Sequence, residues 1–496
     1  MKNNLKTIRL WSALLLIGLS LAACSVDSKY PQPKTFTMTV SAQKSNNTTR
    51  GVLTDGGGST ITAEWAEGDV VTALFNITQS APLNGTLTAQ TAGASTTLSG
   101  NLTGDIYDGD QIVLFYGNTT VNYSSQIGTL EDIAENYDNA QAIVTVSVDG
   151  DHITSSSDAI FESLQAIVKF TLKNSTGTSE LSASEVTVST CAGYYNDPIS
   201  VTITPGSPTS TVYVALPTMQ PIEDKPVTII AKYGDTVYEC VKSGATFIGG
   251  DYYRVNVKLS ELKSLSAVTS DDLGKVIGSD GIIYSSVSSA EASGAAASGI
   301  IAYVGSAGSV DASSDSYKGL AISVTDAPNE DNNHWFTSDS GTCSDQNSSP
   351  ATAITYMNGI QRTTDLTNGH SSHTHAAASA AKNFSTARPD GVSTWFLPSV
   401  GQWNLIVQGL ATKKAGSLVS TDLSGSENNS YKLTNLNSVI TDAGGNGFTK
   451  KSLSDPLYWS SNEWNTQQAW VIDFDKGRIG SRLKSKYAFV RPVFAF

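Results

Sequence analysis

The side chains best suited to chemistry lie near the end of the chain, in the stretch YWSSNEWNTQQAWVIDF. Trp464 stands there in a polar run, between Glu463 and Asn465. An exposed indole offers a flat apolar face to a pyranose ring, and adjacent amides and carboxylates can hydrogen-bond to the ring's hydroxyl groups. The pattern therefore indicates a binding site for a sugar-like ligand. Its candidate residues, of which the two arginines would form a polar rim, are Asn462, Glu463, Trp464, Asn465, Arg478 and Arg482.

The same stretch also has an interpretation as part of a hydrophobic core. We predict strands over 458–460 and 469–474, joined by a loop over 462–467. Trp459 and Trp470 then face the core. Trp464 lies between them, within the predicted loop. The sequence does not decide whether this loop exposes Trp464 or folds back and buries it.

Three histidines in HSSHTHAAA raise the question of a metal site, because neutral imidazole is a good ligand for zinc. On a helix, His370 and His373 would share a face while His375 points elsewhere. No carboxylate or cysteine lies close by in the sequence to complete a ligand set. We therefore predict solvated or hydrogen-bonded histidines near the start of a helix, and no metal.

Two acidic groups raise the alternative of calcium. Asp105, Asp108 and Asp110 lie in DIYDGD, which lacks the later bidentate glutamate of an EF-hand loop, and we expect a turn between strands there. Glu330 and Asp331 lie in DAPNEDNNHW, a predicted loop rich in oxygen ligands, where calcium stays an alternative.

Neither motifs nor charge indicate an enzyme or a nucleic-acid-binding protein. The sequence contains no GxSxG, HExxH or phosphate-binding glycine loop, so we predict no enzyme activity and no cofactor. The formal net charge of −14, without a run of Lys or Arg, argues against nucleic acid as a partner.

The first residues predict export. MKNNLKTIR carries Lys2, Lys6 and Arg9, and an apolar run follows it up to LAAC. A basic region, a short apolar region and small residues before a cut site form a secretory signal, here over 1–23. The next residue resembles the cysteine of a bacterial lipobox, which implies that Cys24 is acylated. An ordinary signal peptide followed by a chance cysteine is the alternative.

Cysteine usage indicates that the fold rests on its hydrophobic cores. Beyond the lipobox the chain has only Cys191, Cys240 and Cys343. An odd number at wide spacing is neither a disulfide framework nor a zinc pattern. Pairing of Cys191 with Cys240 stays open.

Most of the chain before residue 263 has the pattern of β-strands. The 496 residues are rich in Ser, Thr, Gly and Asn and only 15% charged, which is typical of exported β-sandwich proteins. A second set of strands begins near Ala159, and Gly234-Asp235 predicts a hairpin turn within it. We predict a mainly β fold with two tandem β-sandwich domains, over 35–155 and 156–262.

A change of composition predicts a third domain, of α+β class, over 263–496. Its best helix signal is WFLPSVGQWNLIVQGL, in which Ser399 and Gln402 have the spacing of a capping box. An Ala-rich run, HTHAAASAAKNF, predicts a second helix, and the terminal YAFVRPVFAF predicts a strand. The apolar residues on one face of the first helix are Trp403, Ile406, Val407 and Leu410.

Short motifs in the first half of the chain resemble the fimbrillin family, the pilus subunits of Gram-negative gut and oral bacteria. They are weak one by one, and the ordered set covers about half the chain. The resemblance implies a surface lipoprotein that polymerises into a pilus. The motifs are the lipobox, TTRGVL with Thr49-Arg50, EWAEGDVV with Trp65 and Gly68-Asp69, and the run Tyr252–Leu259.

The resemblance also implies proteolytic processing at Arg50-Gly51. Fimbrillin precursors are cut after an arginine by a trypsin-like protease, which would remove residues 24–50 with the first strand and the lipid. The loss exposes an apolar groove and two unpaired edges, which a strand of another subunit can fill. The polar segment SAQKSNNTTR suits a protease site. An ordinary surface arginine at Arg50 fits the residues equally well.

The C-terminal motifs WFLPSVGQWN, YWSSNEW and FVRPV resemble the C-type-lectin-like fold, in its Trp-Ser-Ser-rich bacterial subset. A sulfatase-modifying enzyme family has a similar fold, but its chemistry calls for paired cysteines, and this region has Cys343 alone. The resemblance therefore implies a binding domain.

Both resemblances together predict a fimbrial subunit of the outer membrane and cell surface. We expect other pilus subunits as partners by donor-strand exchange, a glycan or protein ligand on a target surface, and membrane attachment of the precursor through its lipid. Because YAFVRPVFAF is predicted to lie within the third domain, no strand is left to donate, which favours the pilus tip. A surface lipoprotein that binds glycan and never polymerises is the alternative.

Overall fold

The computed structural model describes most of the chain beyond residue 33. The architecture is mainly β, as predicted, with two successive β units followed by an α+β unit. No helix within the described part is long and apolar enough to cross a membrane. The predicted signal peptide, Cys24 and the Arg50–Gly51 bond lie outside that part. The described residues are 34–44, 53–55, 61–75, 83–118, 121–328, 333–336, 347–368, 375–413, 432–448, 457–474 and 477–496.

The first unit is built mainly from one sheet. The strands up to residue 163 are β1 (Thr35–Lys44), β2 (Thr54–Asp55), β3 (Ile61–Thr62), β4 (Val70–Phe75), β5 (Leu83–Ala89), β6 (Ser95–Thr103), β7 (Gln111–Tyr116), β8 (Ser125–Gln126), β9 (Ala140–Asp149), β10 (His152–Ser155) and β11 (Ala159–Ser163). Helix α1 (Leu130–Asp132) continues as a π-helical turn, Ile133–Tyr137. β2 and β3 form a separate 2-stranded sheet, and the 8-stranded sheet has the order β10-β1-β11-β9-β7-β4-β5-β6.

Strand β1 closes this sheet on itself. Residues 35–43 pair antiparallel with β6. On its other side, residues 37–39 run parallel to β10 and residues 42–44 run parallel to β11. Every second residue of β1 is buried, so its inner face is part of the core. Because β1 bonds to both ends of the sheet, the strands form a barrel-like ring, and closure removes the unpaired edges.

The second unit is an 8-stranded sheet, in the order β15-β12-β18-β17-β16-β13-β14-β8, around its own core. The predicted hairpin turn joins β16 and β17, where Gly234 has a φ of 57°, which glycine adopts without steric cost. Cys191 and Cys240 are both free thiols. The strands of this unit are β12 (Gln165–Asn174), β13 (Glu185–Ala192), β14 (Asp197–Ile203), β15 (Thr211–Pro217), β16 (Ile222–Tyr233), β17 (Thr236–Phe247) and β18 (Tyr252–Glu261).

Strand pairing does not divide at the predicted boundary between residues 155 and 156. β11 pairs with β1 and β9, and Phe161 is buried in the first core, so the first sheet continues to Ser163. The short β8 pairs instead with β14 of the second unit. The alternation of apolar and polar residues shows which face of a strand is buried, but it does not show which other strand the strand pairs with. The domain bounds themselves stay predictions.

The third unit combines helices with a 6-stranded sheet, β19-β21-β20-β22-β23-β27, and a 3-stranded sheet, β24-β25-β26. Its strands are β19 (Lys263–Ser264), β20 (Val276–Gly278), β21 (Ile282–Tyr284), β22 (Ala297–Val304), β23 (Gly319–Ile322), β24 (Leu457–Glu463), β25 (Gln468–Asp473), β26 (Arg478–Leu483) and β27 (Val493–Ala495). Its helices are α2 (Val287–Ala292), α3 (Pro350–Ala353), α4 (Gly359–Asn368), α5 (Ala376–Lys382), α6 (Val400–Lys413) and α7 (Lys432–Asp442), with 3-10 turns at Leu265–Ala267 and Ser270–Asp272.

Both predicted helices of the third unit are confirmed, as α5 and α6. The N–H of Ser399 donates to Gln402 Oε1 at 2.9 Å, and the N–H of Gln402 donates to Ser399 Oγ at 3.3 Å, which is the reciprocal pattern of a capping box. α2, α3, α4 and α7 were not predicted. The predicted core residues that are buried are Trp403, Ile406, Val407, Leu410, Trp459 and Trp470.

A buried carboxylate holds the start of the third unit. Asp272 accepts hydrogen bonds from Lys263 Nζ at 3.1 Å, from Lys275 Nζ at 2.8 Å and from the N–H of Thr269 at 3.0 Å. Burial alone would raise the pKa of this carboxyl. The hydrogen bonds and the two positive charges outweigh burial and lower its pKa to about 2.

We expect Asp272→Asn to destabilise the third unit at neutral pH by about 1–2 kcal/mol, a value reduced because both lysines are partly exposed to solvent. The pKa in the folded state lies below the unfolded value. The stabilisation is therefore complete above about pH 4 and is lost as the pH falls towards 2. Urea unfolding between pH 7 and pH 3, followed by tryptophan fluorescence, measures this difference.

Asp271→Asn is the matched control, because Asp271 is exposed and adjacent in sequence. Its stability should follow that of the wild type at every pH. An Asp272→Asn deficit that stays constant over the pH range would contradict the ion-pair account.

Candidate functional site

Strand β1 occupies a slot between β6 on one side and β10 and β11 on the other, which we call the strand slot. The inward-facing Phe36, Met38, Val40 and Ala42 are buried in the first core. Burying a large apolar side chain contributes about 1.5–3 kcal/mol. Without β1, the slot would present an apolar floor between β6 on one side and β10 and β11 on the other, and the backbone groups of these strands that now pair with β1 would be unpaired.

The last residue of β1 is a buried lysine. The side chain of Lys44 is only 1% exposed. Its ammonium donates to the carbonyl of Glu64 at 2.9 Å and lies 4.0 Å from the carboxylate of Asp69. It also faces the rings of Trp65 and Tyr116, at 4.5 and 4.9 Å from their centroids. These contacts compensate for the loss of water around a buried cation.

Asp55, in β2, ties the chain after the predicted cleavage bond to the second unit. Its Oδ2 accepts from Lys169 Nζ at 2.8 Å and from the hydroxyl of Tyr213 at 3.1 Å, and its Oδ1 accepts from the guanidinium of Arg254. Hydrogen bonds to Asp55 and Tyr213 raise the pKa of Lys169. Leu53 lies in a hydrophobic cluster with residues of the second unit. Leu53 and Asp55 are thus held by contacts that do not involve β1.

The segment 488–496 lies inside the third unit. Within it β27 pairs with β23, and Phe494 is fully buried. Arg491 is also buried, and its Nε donates to Asp326 at 2.6 Å. The predicted terminal strand is confirmed over β27, and the segment is an integral part of this core.

Two predicted ligand-binding residues lie in strand β24, so the prediction that they belong to a loop is wrong. Glu463 accepts from Lys484 Nζ at 2.6 Å, and both side chains are fully buried. The Oδ1 of Asn462 accepts from the N–H of Val400 at 2.9 Å, at the start of α6. Partners distant in sequence satisfy these polar groups, which allows the strand to continue through them.

Trp464 is half-buried at the end of β24. Its indole N–H donates to the carbonyl of Ser348 at 3.2 Å, and its ring meets that of Trp470 edge-on, with centroids 6.4 Å apart. Asn465 holds the following turn, because its Oδ1 accepts from the N–H of Gln468 at 2.8 Å. Trp464 therefore packs on the core with one part and faces solvent with the other.

The two candidate arginines lie at opposite ends of β26. Arg482 pairs across β25 with the end of β24 that leads into Trp464. Arg478 lies opposite Asp473, at the end where β24 begins. The structure thus brings Arg482, but not Arg478, to the end of the sheet that carries Trp464 and Asn465.

The acidic and histidine candidates that the structure describes have structural roles. His375 is buried, with its Nδ1 at 3.2 Å from the carbonyl of Trp335. Asp110 accepts from the N–H of Tyr107 at 2.9 Å, as in the predicted turn. Within the described ranges, no group of three or more His, Cys, Asp or Glu side chains is arranged to hold a metal ion. The candidates outside those ranges are His370, His373, Glu330 and Asp331.

Sequence reasoning missed Lys44 and Asp55. A signal for Lys44 was available, because a lysine at an inward-facing position of an alternating strand requires partners in the core. No such signal existed for Asp55, whose partners lie between 114 and 199 residues away in the chain.

Comparison with known proteins gives fimbrial structures as neighbours. No protein-family model and no curated protein matches the chain. A fimbrial protein from Bacteroides ovatus is 12% identical, covers 94% of this chain and 100% of its own, and has a TM-score of 0.28. A fimbrial assembly protein from Parabacteroides distasonis is 12% identical, over 46% of this chain and 94% of its own, with a TM-score of 0.28.

A tip fimbrial protein from Porphyromonas gingivalis, truncated at its C-terminus, is 10% identical over 46% of this chain and 99% of its own, with a TM-score of 0.26. Structural similarities with such low TM-scores do not assign this chain to a family. Its function is therefore proposed from its own residues.

Proposed function

We propose that the chain is a bacterial surface pilus subunit in which a strand of another subunit replaces β1. The observation that carries this proposal is the position of β1, which pairs on both sides and buries every second side chain. Ladder hydrogen bonds and an alternating apolar face can be reproduced by any strand with the same alternation. The partners are other subunits of the same fibre.

Cleavage between Arg50 and Gly51 is the proposed trigger. The residues before this bond include β1 and the proposed lipid site at Cys24. The residues after it remain attached to the second unit through Asp55 and Leu53. A single cut would therefore separate the removable strand and membrane anchor from a body that keeps its other contacts, moving the chain from the outer membrane into the fibre.

The C-terminal segment supports a place at the pilus tip. A donor strand has to leave its own subunit, whereas residues 488–496 are buried around Arg491 and β27. A subunit with this arrangement accepts a strand and does not pass this segment on. Its third unit then stands at the free end of the fibre, where it can contact a target surface.

The third unit is the proposed ligand-binding domain, with its site at the Trp464 end of the 3-stranded sheet. Trp464, Asn465 and Arg482 are the partly exposed candidates that lie there. The buried Asn462 and Glu463 support the site from within. A glycan or a protein loop fits this combination of an indole and polar groups.

Glycan and surface-protein arrays probed with the full chain test this site. We expect Trp464→Ala to weaken binding by about tenfold, since the indole supplies the stacking face. Arg478→Ala is the matched control, because Arg478 lies at the other end of the sheet, and it should bind as the wild type does. Equal binding by all three proteins would remove Trp464 from the site.

Mass spectrometry of the N-terminus of protein sheared from the cell surface tests the pilus proposal. We expect the mature chain to begin at Gly51 and to co-purify with other subunits. Arg50→Ala should keep the lipid on Cys24 and abolish incorporation into fibres, because β1 then stays tethered. Lys29→Ala, a basic residue of the same segment, should still be cut.

Acylated Cys24 throughout the sheared material would contradict polymerisation. The second candidate function, a lipoprotein that binds glycan and never polymerises, would then apply. One observation favours this second candidate. Because β1 is already paired within the first sheet, the uncut chain has a closed core and needs no strand from another subunit.

A further inference from the structure

The inward face of β1 carries an unusual series of side chains. Four of its five buried positions are apolar, and the fifth is a lysine. They are Phe36, Met38, Val40, Ala42 and Lys44. A strand that only needed to fill an apolar slot would not require a charge at the buried end, because burying a charge is costly without dedicated partners.

All the partners of the Lys44 ammonium that we describe belong to the body that remains when β1 leaves. The carbonyl of Glu64, the ring of Trp65 and the carboxylate of Asp69 lie on the segment that leads into β4. The ring of Tyr116 lies at the end of β7. We call these four groups the cation pocket. With β1 removed, these groups would form a negative, aromatic-walled end of the strand slot.

The cation pocket is constructed around its charge. The rings of Trp65 and Tyr116 meet edge-to-face, with centroids 5.3 Å apart, and both side chains are buried. Asp69 is fixed because its Oδ2 accepts from the N–H of Ala66 at 2.9 Å. An apolar side chain there would leave the carbonyl of Glu64 without its donor, and an acidic one would face Asp69.

We propose that the cation pocket selects the incoming donor strand, and that this strand carries a lysine at the position that Lys44 occupies. This inference rests on the proposed exchange of β1. It adds the chemistry of the partner, which is an extended segment with alternating apolar residues and a cation at its end. The pocket also sets the register. A slip by two residues keeps the apolar face inward but moves the ammonium by about 6.6 Å, out of reach of both rings.

The test uses the full chain with a sequence-specific protease site in place of residues 45–50, so that β1 can be cut free and exchanged. A labelled peptide with the sequence of residues 34–44 reports binding by fluorescence anisotropy, and unlabelled peptides compete. We expect Lys44→Met, which keeps the length of the side chain but removes its charge, to bind at least about tenfold more weakly than the native peptide. Ser41→Met, at an exposed position of the same strand, should bind like the native peptide.

A variant of the receiving body identifies the pocket as the cause. Asp69→Asn keeps an acceptor for the N–H of Ala66 and removes the negative charge. It should reduce the preference for the native peptide over Lys44→Met, which a loss of general packing would not do.

The outcomes separate the two proposals. If the native and Lys44→Met peptides exchange with equal affinity, strand exchange stands and selection by the cation pocket is overturned. If no peptide of this series displaces β1 from the cut chain, strand exchange itself is contradicted and the selection falls with it. A preference for lysine that is unchanged in Asp69→Asn would also overturn the role of the pocket's charge.

Discussion

The pairing of β1 with both ends of the first sheet determines how the first unit is closed. It converts an open sheet into a ring and places half of the strand's side chains in the core. A strand in this position contributes ladder hydrogen bonds on two sides together with an apolar face. Any segment that replaces it must reproduce both, and the buried Lys44 adds a charge requirement that backbone pairing alone does not impose.

Several contacts elsewhere in the chain do not involve β1. Asp55 bonds to three strands of the second unit, and Asp272 binds Lys263 of β19 within the third unit. The end of the chain is fixed by the buried Arg491. Removal of β1 would therefore break contacts within the first unit. The contacts of Asp55 with the second unit would stay in place. This separation is what a subunit needs if it is to exchange a strand without unfolding.

The sequence predicts those features that depend on local spacing. The capping box at Ser399, the burial of Trp459 and the hairpin turn at Gly234 follow from periodicity and turn chemistry over a few residues. Local spacing does not predict the closure of the first sheet by β1 or the membership of β11 in that sheet, because the paired strands lie far apart in the chain. Glu463 was misplaced for the same reason: a glutamate among polar residues indicates a loop unless its distant partner, Lys484, is known.

Hydrogen–deuterium exchange on the chain cut after Arg50, before and after β1 is removed, tests whether β1 is a replaceable strand. We expect β6, β10 and β11 to lose protection when β1 leaves, while β4, β7 and the second unit keep theirs. A peptide with the sequence of β1 should restore the protection of β6, β10 and β11. Exchange throughout residues 61–163 would show that the first unit unfolds without β1. Unchanged protection of β6 would show that β1 does not close the sheet. Either result would contradict a replaceable strand.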